Sequence, residues 1–308
     1  MTKRLEILGK EISESERPFV IAEISGNHNG DIERAYAIID AAAEAGADAV
    51  KLQTYTPETM TLDCDRPDFQ IKGGLWNGYS LFDLYEWAHT PWDWHEGLFE
   101  RGRKLGVPVF STPFDPSSIA FLESLNTPVY KIASFELIDL PFVRKVAQTG
   151  KPMILSTGMA NISEIEEAIS VAKSVGNENL IVMHCVSGYP APASDYNLAT
   201  IPDLADRLGL LIGLSDHTLG IAVPIAAVAK GAVIIEKHIT LRREDGGPDS
   251  AFSLEPDEFK LMVEGVQVAW KALGKPDYQR KKSETDNVIF RRSLYVIKDI
   301  PKGHPLNE

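Results

Sequence analysis

The chain has 308 residues, of which 44% are hydrophobic and 24% charged, and its formal net charge is -13 at pH 7. The composition is that of a globular protein, and the acidic balance argues against nucleic acid or an anionic membrane as a partner, since either would require a basic face. Because the sequence shows no signal peptide, no stretch approaching a membrane span and only two cysteines, the cytoplasm is the expected compartment.

Short apolar segments alternate with amphipathic helical segments along most of the chain. Strands are predicted at Phe19–Ile24, Ala49–Gln53, Pro108–Ser111, Val129–Ile132, Met153–Ser156, Leu180–His184, Leu211–Ser215 and Ala232–Glu236. Helices are predicted at Ile32–Ala45, Trp92–Leu105, Ser117–Leu125, Pro141–Gln148, Ile162–Val175, Ile201–Arg207, Ile221–Ala229 and Pro256–Leu273. About eight strand–helix pairs predict a (β/α)8 TIM barrel, with a doubly wound open sheet as the second interpretation.

One connection is unusually long. Residues 55–91 separate the second predicted strand from its helix, and they contain several aromatic side chains: Trp76, Tyr79, Phe82, Tyr85 and Trp87. A long loop at the catalytic face of a barrel is often functional, so this segment is a candidate for substrate selection. An aromatic-packed structural flap is the alternative.

The pattern changes after Gly274. The stretch from Arg280 to Lys282 is basic, and Arg291–Val296 is predicted to start a strand. We therefore expect a barrel domain over 1–275, a linker over 276–290, and over 291–308 the truncated start of a second small domain.

Two histidines, His217 and His238, follow successive predicted strands. The carboxyl ends of barrel strands meet at one mouth, where the active sites of TIM barrels lie. Two imidazoles there suit a divalent metal ion with open coordination positions. The alternative is that each histidine is hydrogen-bonded for structural reasons.

Further polar residues are predicted at the same mouth: Glu23, Lys51, Gln53, Thr112, Lys131, Ser134, Ser156, Ser187, Tyr189, Ser215 and Glu236. Two lysines flanked by hydroxyls indicate a site for a phosphate or carboxylate. Two alternative roles for these lysines are a buried ion pair and the nucleophile of a Schiff-base aldolase. Glu23 needs a partner, which could be the metal, a substrate hydroxyl or Lys51. The turn at Gly246–Ser250 could be a lid that brings Asp249 to the site, or an ordinary surface turn.

Several of these segments resemble the sialic-acid synthase family. The matching stretches begin at Ile21, Lys51, Lys131, Leu155, Gly213 and Glu236, and read IAEISGNHNG, KLQTYT, KIASFE, LSTG, GLSDH and EKH. The pseudaminic acid synthase branch is the most similar one, because IKGGLW from Ile71, HTPW from His89 and SAFSL from Ser250 are like that branch. The neuraminate branch has Asn-x-Tyr shortly after His-Cys, where this chain has HCVSGY from His184.

The resemblance implies a metal-dependent condensation of phosphoenolpyruvate with an amino-sugar aldehyde, giving a nine-carbon α-keto acid and phosphate. By position, His217 and His238 hold the metal, with Mn2+ expected ahead of Mg2+ or Co2+. The phosphoenolpyruvate site comprises Lys51, Thr112, Lys131, Ser134, Ser156, Ser187 and Ser215. The sugar is faced by Glu23, Gln53, Tyr189 and Asp249, with Glu23 also a candidate in catalysis.

The resemblance also implies a homodimer and a C-terminal antifreeze-like (SAF) domain that supplies an arginine to the partner's sugar site. Only the beginning of that domain matches, from Arg291, so the arginine cannot be assigned. Three alternatives stay open: a neuraminate or legionaminate synthase with the same chemistry, a pyruvate-type aldolase, and a non-catalytic barrel that binds sugar or phosphoenolpyruvate.

Overall fold

A computed structural model of the chain describes residues 4–7 and 9–305. The strands are β1 Leu5–Ile7, β2 Lys10–Ile12, β3 Phe19–Glu23, β4 Ala49–Thr54, β5 Val109–Pro113, β6 Tyr130–Ile132, β7 Met153–Ser156, β8 Leu180–Cys185, β9 Leu211–Asp216 and β10 Ile234–His238. The α-helices are α1 Ile32–Glu44, α2 Pro57–Met60, α3 Leu81–Ala88, α4 His95–Leu105, α5 Pro116–Ser124, α6 Leu140–Ala147, α7 Ile162–Ser174, α8 Thr200–Leu208, α9 Ala222–Val228 and α10 Pro256–Leu273.

Strands β3 to β10 form a closed barrel of parallel strands in chain order, and β10 pairs back to β3. This arrangement confirms the predicted TIM barrel, and the closure excludes the open doubly wound sheet. The eight barrel strands are those predicted, with bounds that differ by at most two residues. The largest difference is at β10, which begins at Ile234 and includes His238.

Two apolar clusters lie on the two sides of the barrel wall. Ile21, Ala49 and Phe110 belong to the cluster inside the barrel, whereas Val20 and Val50 pack between the strands and the helices. Side chains of a strand alternate between its faces. The residues two positions further along the interior rows therefore also point into the barrel, toward its carboxyl-terminal mouth.

A short antiparallel hairpin of β1 and β2 precedes the barrel and was not predicted. Its Ile7 and Ile12 are buried in the same cluster as Phe19, the first residue of β3, so the hairpin closes the amino-terminal end of the barrel. Three-residue strands are too short to show an alternating pattern, which is why the sequence analysis missed them.

The long connection from Tyr55 to Pro91 is not the loop that was expected. It contains α2, a 3-10 helix over Pro67–Phe69 and α3. The predicted helix Trp92–Leu105 is also wrong in its first turn, because Trp92–Trp94 is a 3-10 helix and α4 begins at His95. We call residues 55–91 the β4–α4 segment.

The chain divides into two compact units, Met1–Leu273 and Gly274–Glu308. The strand predicted at Arg291–Val296 is wrong: the described part of the second unit, 274–305, contains two 3-10 helices and no strand. Leu294 and Tyr295 are exposed, and without a neighbouring chain segment the backbone of a strand has no partner for its hydrogen bonds. Among the described residues, no helix is long and apolar enough to cross a membrane.

Candidate active site

Four buried charged side chains form a layer inside the barrel, just below its mouth. Lys51 Nζ lies 2.5 Å from Glu23 Oε2, and Lys131 Nζ lies 3.2 Å from Glu236 Oε1. Lys51 Nζ also lies 3.8 Å from that same oxygen of Glu236, so the two pairs form one cluster. The side chains come from β4, β3, β6 and β10, and each occupies an interior position of its strand.

The two carboxyl groups of this layer differ in their electrostatics. Burial raises the pKa of Glu23 and the negative charge of Glu236 adds to this, which outweighs the opposing effect of Lys51. Burial also disfavours the charged form of Glu236, but Lys131 and Lys51 outweigh it and lower the pKa of that carboxyl. Of the two carboxyl groups, Glu23 is therefore the one that accepts a proton more readily.

Lys51 remains an ammonium group. Burial alone would lower its pKa, but the attraction of Glu23 and Glu236 raises it above its ordinary value. A Schiff-base lysine needs a lowered pKa to act as a nucleophile. The environment of Lys51 therefore favours a charge that binds an anion over an aldolase nucleophile.

Hydroxyl groups from neighbouring strands surround the lysines. Thr112 Oγ1 accepts a hydrogen bond of 3.2 Å from Lys51 Nζ, and Ser215 Oγ donates one of 3.2 Å to Glu236 Oε1. The Ser156 Oγ atom is buried and has no protein partner. Ser156 is on β7, the strand that pairs with the strand of Lys131, and an unpartnered buried hydroxyl at this place is what an anionic ligand would require.

Ser134 and Ser187 lie close together at the mouth. The backbone N–H of Gly158 donates a 3.2 Å hydrogen bond to Ser134 Oγ. A Cβ atom at position 158 would lie 2.3 Å from Ser187 Oγ and 2.8 Å from Ser134 Oγ, so only glycine leaves room for both hydroxyls here.

The two histidines lie side by side at the ends of the neighbouring strands β9 and β10, with ring centroids 5.4 Å apart in an edge-to-face arrangement. His217 Nδ1 lies 2.8 Å from the carbonyl oxygen of Val186, to which it can donate, and in the neutral ring this tautomer leaves Nε2 without a proton. His238 Nδ1 is buried without a hydrogen-bond partner, and it lies 3.7 Å from Asp249 Oδ2. Burial, together with the neighbouring His217, lowers the pKa of His238 well below its ordinary value.

This pair fits a divalent metal ion that has few protein ligands. His238 is neutral and offers an unpartnered buried nitrogen, which is the form of imidazole that binds a metal. Within residues 4–7 and 9–305, no group of three or more His, Cys, Asp or Glu side chains is arranged to hold a metal ion. The pair would therefore leave most coordination positions to substrate or water, as in a catalytic rather than a structural site.

The remaining predicted residues also lie at this mouth. Gln53 Nε2 donates a 3.0 Å hydrogen bond to Glu23 Oε1. Asp249 is buried and accepts a hydrogen bond from Ser25 Oγ, so the Gly246–Ser250 turn is packed onto the site and not extended as a surface turn. The Tyr189 ring lies 4.5 Å from that of His217.

Sequence reasoning placed Glu236 at the mouth without giving it a role, and it gave no role to Cys185 or Phe252. Glu236 precedes His238 by two residues and so shares its face of β10, a signal that was available in the sequence. Cys185 Sγ lies 4.0 Å from His217 Nδ1, and the Phe252 ring lies 4.9 Å from that of His238. These two contacts depend on where loops and strands meet in space, so no sequence pattern could have indicated them.

Comparisons with known proteins show the family of this chain. The sequence model of the NeuB family matches residues 38–278. The chain belongs to the NeuB family. It is 46% identical to the pseudaminic acid synthase of Helicobacter pylori, over 94% of this chain and 86% of that protein, and 46% identical to the pseudaminic acid synthase of a Campylobacter jejuni strain, over 94% and 84%.

A solved structure is similar over almost the whole NeuB-family chain. It is the crystal structure of the N-acetylneuraminic acid synthetase of Leptospira borgpetersenii in complex with citrate, with a TM-score of 0.83, 34% identity, and coverage of 96% of this chain and 98% of that one. The chain is thus an enzyme, a synthase of a family whose members in general depend on a metal ion.

Proposed function

We propose that this NeuB-family enzyme is a pseudaminic acid synthase. It would condense phosphoenolpyruvate with 2,4-diacetamido-2,4,6-trideoxy-altropyranose to a nine-carbon α-keto acid and release phosphate. The observation that carries this proposal is the cluster of Lys51 and Lys131 in the barrel directly below the histidine pair His217 and His238. An anion site next to a pair of metal-binding imidazoles suits a reaction between an anionic enol phosphate and an aldehyde.

In this proposal the two lysines bind the carboxylate and phosphate of phosphoenolpyruvate. Their charges are held in place before the substrate arrives, so they stabilise the leaving phosphate without reorganisation. The hydroxyls would donate further hydrogen bonds to the same anion, from Thr112, Ser134, Ser156, Ser187 and Ser215. The unpartnered Ser156 supports this role.

His217 and His238 would hold the metal ion, with Mn2+ preferred over Mg2+ and Co2+. When bound, the ion would supply Lewis-acid activation of the sugar aldehyde and stabilise the negative charge that develops on its oxygen. The contact between His217 Nδ1 and the Val186 carbonyl supports this, because it orients the ring and leaves Nε2 for the metal.

The chemistry would form a carbon–carbon bond to the sugar and a carbon–oxygen bond to water, and it would break the carbon–oxygen bond to phosphate. C3 of phosphoenolpyruvate attacks C1 of the sugar, water adds to C2, and the bond between C2 and the phosphate oxygen breaks. Glu23, whose pKa is raised by burial, would exchange a proton with a sugar oxygen or the attacking water. Gln53, Tyr189 and Asp249 would position the sugar.

We also propose the domain division, the homodimer and the cytoplasmic location. Residues 276–290 would be a linker and 291–308 the first part of an antifreeze-like domain that acts across a homodimer. The exposed apolar side chains of this segment, among them Leu294 and Tyr295, support packing against another surface. The free thiols of Cys64 and Cys185 support a reducing compartment.

The test is phosphate release from phosphoenolpyruvate with Mn2+, measured with the diacetamido-trideoxy-altrose and with N-acetylmannosamine, each with and without EDTA. We expect release with the altrose sugar only, and its loss with EDTA. Release with N-acetylmannosamine instead would retain the chemistry and overturn the choice of sugar. Carbon–carbon bond formation from pyruvate without phosphate release would indicate an aldolase.

A further inference from the structure

Three segments of the chain are closely packed against one another at one side of the barrel mouth. A Cβ atom on Gly26, in the turn after β3, would lie 2.5 Å from Pro248 Cγ and 3.0 Å from the Cα of Ala88. Ala88 is the last residue of α3 and belongs to the β4–α4 segment. This segment is therefore packed against the turn that carries Asp249, and a small residue at position 26 is needed for the contact.

A second contact joins the β4–α4 segment to the same turn. The indole Nε1 of Trp76 donates a 2.7 Å hydrogen bond to the carbonyl oxygen of Pro248. Because Nε1 is the only polar atom of the indole, the rest of the half-buried ring presents an apolar surface. The ring packs on Tyr189 at a centroid distance of 5.5 Å.

The aromatic contacts continue from Trp76 to the two histidines. Tyr189 lies 4.5 Å from His217 and 5.6 Å from Phe252, and Phe252 lies 4.9 Å from His238. We call Trp76, Tyr189 and Phe252 the aromatic wall. It borders the place where the sugar aldehyde would react, and Trp76 is one ring further from His217 than Tyr189.

We propose that Trp76 is a specificity-determining residue that favours a sugar with a methyl group on its distal half. This rests on the proposed function, in which the aldehyde end of the sugar lies next to the histidines. The distal half of the open-chain sugar would then extend along the aromatic wall toward Trp76. The methyl group could be C6 itself or the methyl of the acetamido group on C4, and both would bury apolar surface against the indole.

The physical basis is that the wall has no free hydrogen-bonding atom at Trp76. A hydroxyl that packs against the indole would lose hydrogen bonds to water on that side and gain none from the ring, because the one indole N–H is already donated to Pro248. An apolar pocket rejects an added hydroxyl only moderately, so the preference attributable to Trp76 should be about tenfold and at most about a hundredfold.

The experiment measures kcat/KM with saturating phosphoenolpyruvate and three altrose derivatives. These are the diacetamido-trideoxy sugar, its 6-hydroxy analogue, and the analogue with a hydroxyl in place of the 4-acetamido group. The variants are W76A, which removes the ring, and W76F, which keeps an aromatic face but lacks the N–H. W87A is the matched control, because Trp87 belongs to the same segment but stacks on Tyr79.

We expect W76A to lower the preference for the trideoxy sugar about tenfold, mainly through KM, while W76F and W87A retain it. Loss of the preference over the 6-hydroxy analogue assigns the C6 methyl, and loss over the 4-hydroxy analogue assigns the acetamido methyl. Should W76A not fold, W76L takes its place, and it should retain part of the preference.

If folded W76A or W76L keeps the full preference for the trideoxy sugar, this inference is wrong. The proposed function would still stand in that case, provided that the wild-type enzyme turns over the trideoxy sugar. Equal losses in W76F and W76A would also overturn it, since they would assign the effect to the contact with Pro248. If the wild-type enzyme turns over none of the three sugars, the proposed function itself fails.

Discussion

The inner and outer faces of the barrel strands both carry buried polar side chains. The two faces differ in how many of these side chains find a hydrogen-bond or ion-pair partner within the protein. On the outer face Lys237 Nζ lies 2.5 Å from Asp216 Oδ2 and also donates to the carbonyl oxygen of Thr218. Thr54 Oγ1 lies 2.8 Å from His95 Nε2 and 2.6 Å from Ser111 Oγ. Each of these outer groups has its partners within the protein.

The inner face leaves hydrogen-bonding capacity unused. Glu236 Oε2, Ser156 Oγ and His238 Nδ1 are buried and have no hydrogen-bond partner in the protein. Since unpartnered buried polar atoms cost free energy, their concentration at one mouth indicates a site that a ligand completes. Burial of charge thus does not distinguish a structural from a functional residue, whereas the unused bonding capacity does.

The largest effect on stability should come from breaking the outer ion pair. We expect K237M to lower the free energy of unfolding by about 3–5 kcal/mol, because it leaves the fully buried Asp216 without its cation. Urea unfolding of K237M and of the double variant D216L/K237M measures this. The double variant should be less destabilised than K237M, and equal losses in both would contradict an effect of the unpaired charge.

Breaking the inner cluster should instead affect catalysis. We expect K131M to lower kcat/KM by about 10²–10³, because the charge that faces the anion is removed. Its loss of stability should be smaller than that of K237M, since Lys51 Nζ remains 3.8 Å from Glu236 Oε1. Steady-state phosphate release and urea unfolding of both variants test the contrast, and a K131M enzyme with normal kcat/KM would refute it.

The low pKa of His95, which lies on the outer side of the barrel, predicts that the stability of the protein depends on pH. Burial lowers the pKa of His95 to about 4 from 6.5. In the unfolded chain His95 therefore binds a proton near pH 6.5, whereas in the folded chain it remains neutral until about pH 4. The free energy of unfolding therefore decreases as the pH falls below 6.5. The loss from this residue should reach about 3 kcal/mol at pH 4.

Urea unfolding of wild-type enzyme and H95Q between pH 7 and pH 4 measures this contribution. The glutamine variant can keep a hydrogen bond to Thr54 but cannot titrate, so its stability should fall less steeply with decreasing pH. Parallel curves for the two proteins would show that His95 does not contribute.

The smallest effects should come from single hydroxyls on the two faces. S111A removes a hydrogen bond to Thr54 and should cost about 1 kcal/mol of stability without changing KM. S156A removes an unpartnered hydroxyl, so it should leave stability unchanged and raise the KM for phosphoenolpyruvate by up to about tenfold. A raised KM in S111A together with a loss of stability in S156A would contradict the difference between the two faces.

Much of the fold and the site could be predicted because both follow a local pattern. Apolar segments of four to six residues alternate with helical ones, and parallel strands carry the residues that follow them to one mouth. Lys51, Lys131, His217 and His238 lie there for that reason. The β1–β2 hairpin and the wrong strand at Arg291–Val296 show the limit of local patterns, because a strand exists only if it has a neighbour to pair with.

The sequence by itself determined the barrel, the family and the polar residues at the strand ends, since these depend on periodicity and on short segments that resemble the family. Only the tertiary structure decided which oxygen of Glu236 two lysines share and that the pKa of Glu23 is raised while that of Glu236 is lowered. It also decided that Trp76 reaches Pro248 and Tyr189. The physical reason is that pairing, desolvation and ring contacts depend on distances between residues far apart in the chain. Such distances exist only after the barrel has closed.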